Sequence, residues 1–166
     1  MPESVPLRSQ ELKVRAPEPL EEAVEKCVRD IFIWSLRSYP QFGSINVTRA
    51  DVDSDLIIPA IVIRATRIRE SIPTGDVYEM DVSVTCLTLM DQDDDVTPAT
   101  PAEFTDDLWA AVVALVEDPN FLTILQASRS SVRWHGIVRQ GAMTANRMER
   151  HAERQYSFSL HVSRLA

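Results

Sequence analysis

A chain of 166 residues with 45% hydrophobic and 25% charged side chains has the size and balance of one soluble globular domain. Seventeen basic against 25 acidic residues leave a net charge of −8, which disfavours any role that depends on gripping nucleic acid. No apolar run approaches the length of a membrane span, and no charged-then-apolar leader opens the chain, so no membrane partner is expected.

Residues 1–16 hold Pro2 and Pro6 among mixed charges and read as an irregular N-terminal arm, with a single α+β domain over 17–166. Pro17 or Pro19 opens a helix where a missing N–H costs nothing, and Glu18, Glu21 and Glu22 favour its dipole. Leu20, Val24, Cys27, Val28, Ile31 and Trp34 form one apolar stripe, and Tyr39-Pro40 should end the helix. Gln41–Asp55 reads as a loop with a short strand at Ser44–Thr48.

Pro59–Met90 then reads as two long strands joined at Pro73-Thr74-Gly75-Asp76, with glycine supplying the positive φ. In the second arm Tyr78, Met80, Val82, Val84 and Cys86 alternate with Glu79, Asp81, Ser83 and Thr85, the period of a strand with one buried face. The first arm starts with Ile61-Val62-Ile63 and turns polar through Arg64, Thr66, Arg67 and Arg69. Each arm would extend roughly 40 Å, so the distal half, Thr66–Val82, is expected to project from the core. Arg64, Arg67, Arg69, Glu79 and Asp81 on this hairpin are candidate subunit-interface residues, with cross-strand ion pairing as the simpler role.

Thr100-Pro101-Ala102-Glu103 has the form of a capping box, followed by a helix through Phe104, Leu108, Val112, Leu115 and Val116 to about Glu117. Asp118-Pro119 starts a second, short helix over Pro119–Gln126. Val132–Val138 reads as a strand bent at Gly136, Gly141–Arg154 as a polar loop, and Tyr156–Val162 as a half-buried closing strand. The order implies an α+β fold, a mainly antiparallel sheet with a long β-hairpin and helices packed on one face.

Chemistry-bearing motifs are weak. Asp91, Asp93 and Asp95, with Asp94 between them, open like a calcium loop. Val96 and Ala102 replace the Gly and Glu that such a loop needs, so these acids read as a solvated acidic loop and no metal is expected. His135, His151 and His161 have no second ligand at metal spacing, and no nucleophile elbow, P-loop or dinucleotide fingerprint is present. Cys27 and Cys86 fall on core-facing positions and read as buried, unpaired thiols. Trp34, Trp109 and Trp134 read as core or interface anchors. No catalytic residue and no cofactor is therefore assigned. Charge is uneven: Asp91–Asp107 holds seven acids and no base, whereas Arg129–Arg154 holds six arginines against Glu149 and Glu153. Such patches permit head-to-tail association of copies.

The order of elements resembles the tail terminator (tail completion) proteins of long-tailed bacteriophages. The likeness rests on the N-terminal amphipathic helix, the Pro59-Ala60-Ile61-Val62-Ile63 strand, the Thr74-Gly75 turn and the alternating strand Met80–Leu89. It continues through the helix Phe104–Val116 and the closing strand Tyr156–Val162. The resemblance implies a non-enzymatic virion protein of the tail or neck, assembled in the host cytoplasm as a homo-oligomeric ring, usually a hexamer. Such a ring caps the tail-tube protein and meets the head-side connector, while DNA passes through without specific binding. It would place Asp91, Asp93, Asp94 and Asp95 at the lumen or rim. Alternatives are another neck or tail component, such as a head-closure or tail-tube protein, or a small α+β enzyme or ligand-binding domain.

Overall fold

A computed structural model describes residues 18–49, 58–72, 76–89, 102–128, 130–147 and 151–165. Helix α1 spans Leu20–Leu36, and a single 3-10 turn, Pro40–Phe42, follows it. Strands β1 (Asn46–Arg49), β2 (Ala60–Ile72) and β3 (Val77–Leu89) come next, then helices α2 (Ala102–Val116) and α3 (Phe121–Ala127). Strands β4 (Val132–Arg147) and β5 (His151–Arg164) complete the order. The five strands form one sheet in the order β1-β2-β3-β5-β4. β1 runs parallel to β2 and every other pair is antiparallel, giving an α+β fold with a mostly antiparallel sheet.

The helices cover one face of the sheet. Alternation places Ile61, Ile63 and Ala65 of β2, Met80, Val82, Val84 and Cys86 of β3, and Tyr156, Phe158, Leu160 and Val162 of β5 on that face, all buried. Against them pack Val24, Val28, Ile31 and Phe32 of α1, Leu108, Val112 and Val116 of α2, and Phe121 and Leu125 of α3. Phe121 meets Phe158 edge-on at 5.5 Å, and Phe42 meets Phe104 likewise at 5.3 Å, so aromatic contacts join the helices to the sheet and to the 3-10 turn. Among the described residues no single helix is long and apolar enough to cross a membrane.

A buried carboxylate sets how α1 meets the sheet. β1 pairs with β2 only from Ala60 to Ile63, which leaves the next outward N–H of β2 without a strand partner. Glu25, 1% exposed in the middle of α1, accepts that N–H: Ala65 N donates to Oε2 at 2.9 Å. Its Oε1 accepts from Arg49 Nε at 3.1 Å, and Arg49 also donates to Glu22 at 3.2 Å. One acid thus pins the helix to both β1 and β2.

Several expectations are corrected. The hairpin does not project: β3 is paired along its length with β5, from Tyr78↔Val162 to Leu89↔His151, and α1 covers the inner face of β2. What the distal half leaves open is only the outer edge of β2 beyond Ile63, against which no strand pairs among the described residues. Gly141–Arg154 is no loop; β4 runs on to Arg147 and β5 begins at His151. A polar edge strand has one face in solvent and gains its ladder from the backbone, so hydropathy does not announce it. Gly141 sits there at φ 91, next to a register shift between Arg139 and Ala142, a conformation that suits glycine.

The expected bend at Gly136 is present as a register shift. In the hairpin turn the left-handed residue among those described is Asp76, at φ 51. Thr100 and Pro101 lie outside the described residues. Asp118 does not cap α3 as expected: its carboxylate accepts the Asn120 N–H at 2.8 Å and closes a turn. Asn120 is the N-cap, without a side-chain cap bond, and α3 starts only at Phe121.

Replacing Glu25 with Ala strands the Ala65 N–H and removes the deepest partner of Arg49. The expected loss is about 3 kcal/mol in urea unfolding, with Glu25→Gln in between. An E25A midpoint equal to wild type would contradict the role given to this acid.

Candidate functional site

Among the described residues no helix packs on the sheet's second face, which is polar. Register aligns its side chains in rows across the strands: Arg69, Glu79 and His161; Thr66, Asp81 and Ser159; Arg64, Ser83 and Ser157; Val62, Thr85 and Gln155. This grid brings together four of the five hairpin residues singled out from the sequence, and four of the five, all but Arg64, engage side chains within the chain. Arg69 Nε donates to Glu79 Oε2 at 2.6 Å, the cross-strand pair anticipated from the sequence. Asp81 accepts from the Ser159 hydroxyl, and the small Ser159 is itself buried. Arg67 lies on the other face beside Met80, where it pairs with Glu21 at 2.8 Å and stacks 4.1 Å over the Tyr78 ring.

Arg64 is different. It is exposed, and no carboxylate among the described residues lies within ion-pair distance of it. It borders a trough of about 250 Å³ lined by Arg64, Thr66, Asp81, Ser83, Gln155 and Ser157. Three hydroxyls and a carboxamide therefore surround one free guanidinium, a set of donors suited to an oxygen-rich group.

On the opposite side of the molecule lies an apolar groove of about 460 Å³ between α1 and α3, lined by Cys27, Ile31, Trp34, Ile124 and Ala127 with Asp30 and Ser128 at its margins. Trp34 is 64% exposed here, which corrects its place in the core stripe. Trp134 is buried as expected and Trp109 partly so.

The remaining candidates stay apart. Cys27 and Cys86 are free and buried. Burial pushes the Cys86 thiol up to about 12, against the opposing pull of Arg154. Burial also raises Cys27, partly offset by its hydrogen bond with Ser128 at 2.9 Å. His135 shares a 2.8 Å hydrogen bond with Ser163, and His161 sits half-buried beside Glu79 in the ladder. Among the described residues no three His, Cys, Asp or Glu side chains gather as metal ligands. Asp91, Asp93, Asp94 and Asp95 lie outside the described residues.

No protein-family model matches the chain, and no curated protein matches it.

Reading the sequence missed the trough and the groove. The serines of β5 read only as polar alternation, and the groove needs the α1–α3 pairing that the sequence does not announce. The free Arg64 was indistinguishable from Arg67 and Arg69 before the partners of each were known.

Two outcomes follow from these surroundings. Arg69→Ala leaves Glu79 nearly buried and unpaired and is expected to lower stability by about 1 kcal/mol, whereas Arg64→Ala should stay within about 0.5 kcal/mol of wild type. Thermal or urea melts of the two variants check this, and equal effects would contradict it. Both thiols should resist a disulfide reagent near neutral pH in the folded protein and react at once in denaturant. Rapid labelling of Cys86 in the native state would contradict its placement.

Proposed function

We propose that the chain is a structural protein of a long-tailed bacteriophage that assembles into a ring closing the tail tube and meeting the head-side connector. The order of elements that carries the resemblance, from α1 through the β2–β3 hairpin and α2 to β5, supports this reading. The observation that carries it is the outer edge of β2 from Thr66 to Ile72, beyond the Ala65 N–H that Glu25 takes, against which no strand pairs among the described residues. An open edge of that length is a site of association unless it is blocked. Ile68 stands 48% exposed on this edge, at a register shift between Arg67 and Arg69. Small edge bulges re-aim such a side chain outward. The net charge of −8 supports passage of DNA without adhesion. A head-closure or tail-tube role belongs to the same class.

A second reading, a ligand-binding domain, draws on the α1–α3 groove, whose apolar lining and volume are in the range of small-molecule sites. In that reading the purified chain stays monomeric and Trp34 emission responds to apolar ligands.

Native mass measurement of wild type beside Ile68→Asp separates the two. The ring reading expects one closed oligomer for wild type and at least a tenfold weaker assembly for I68D, with unchanged circular dichroism. A wild-type chain that remains monomeric at high concentration overturns it.

A further inference from the structure

We infer that the polar face of the sheet is the receptor for the acidic outer ridge of helix α2 on a second copy of this chain. The inference rests on the ring reading and names one of its interfaces. The two surfaces lie on opposite sides of the fold. Phe104, Leu108, Val112 and Val116 turn the inner side of α2 toward the core, so Glu103, Asp107, Ala110 and Ala114 form an exposed ridge pointing away from the sheet. Spacings of four, three and four residues keep these positions in one line.

Charge complementarity selects the occupant. Residues 102–128 hold Glu103, Asp106, Asp107, Glu117 and Asp118 and no base. Asp106 pairs with Arg154, Glu117 accepts from the Tyr156 hydroxyl, and Asp118 accepts a backbone N–H. Glu103 and Asp107 are exposed and have no basic partner among the described residues. On the sheet Glu79 is neutralised by Arg69, while Asp81 accepts from the Ser159 hydroxyl and keeps its charge, as Glu153 does in the row of Leu87. Arg64 remains unpaired on the trough, and Arg133 is exposed beside Ser163 at the far strand. Free carboxylates on one side of the molecule thus face free guanidinium groups on the other side of the next.

Shape agrees with charge. Ala110 and Ala114 let the helix backbone approach closely, and Ser83, Ser157 and Ser159 leave the sheet surface low where it would lie. α2 is about 22 Å long, shorter than the strands it would cross. A helix-side surface meeting a sheet-side surface is head-to-tail, the type of contact that closes a ring when the rotation between copies allows it.

The test compares wild type, Arg64→Glu, Asp107→Arg and the double variant R64E/D107R by native mass and sedimentation at low ionic strength. Each single reversal should weaken assembly at least tenfold, and the double variant should recover most of the loss. In a separate arm, Ser157→Cys with Ala110→Cys in an otherwise wild-type chain should oxidise to disulfide-linked ladders of copies. That arm holds even if R64E folds poorly. Wild-type rings that tolerate both reversals and give no S157C/A110C ladder overturn this interface and leave the ring reading standing. A monomeric wild type overturns the ring reading and the interface with it.

Discussion

The way helix α1 meets the sheet depends on one buried acid. Glu25 stands where β1 has ended and β2 continues, and its carboxylate takes the place that a further residue of β1 would fill at the Ala65 N–H. A backbone donor left bare beneath a helix is costly, and so is a buried carboxylate without a cation. Arg49 supplies the cation, and Glu22 shares it. The cluster therefore does three things: it ends the parallel pairing, fixes the azimuth of α1, and sends β2 onward as an edge.

That arrangement also decides what is left uncovered. With α1, α2 and α3 all on one face, the sheet keeps a second face that no helix covers among the described residues. An antiparallel sheet tolerates this when the outer side chains are polar, and here they are mostly serine, threonine and paired charges. Beyond the β1 pairing, the distal edge of β2 meets no strand among the described residues. One packing choice thus produces both surfaces on which the functional proposal stands, the edge with Ile68 and the face with Arg64.

Most of the framework was legible. Period two in β3 and β5 was plain because those strands sit centrally, with one face against helices, and the apolar stripe of α1 was plain for the same reason. The distal part of β4 was not, since an edge strand in solvent need not alternate. The short strand expected at Ser44–Thr48 is β1, displaced by one or two residues. Its parallel pairing with β2 was not legible, because its four residues are all half-buried and carry no period. Glu25 was hidden by its chemistry: an acid in the first half of an amphipathic helix ordinarily faces water. The hairpin residues were found as a group and cross-strand pairing was anticipated for them, but which of them would pair was not. Sequence spacing cannot tell Arg69, bound to Glu79, from Arg64, bound to nothing among the described residues, because the bulge at Ile68 changes which side chain meets which.

The features on which the functional proposal draws are surfaces: an edge, a polar face on which Arg64 has no carboxylate partner among the described residues, and an acidic ridge. The functional account is accordingly geometric, with copies of one chain presenting unlike sides to one another. Electron micrographs of the purified wild-type protein test that account most directly. It predicts a single class of closed ring with a central opening. Isolated globular particles, or open filaments of indefinite length, would contradict it.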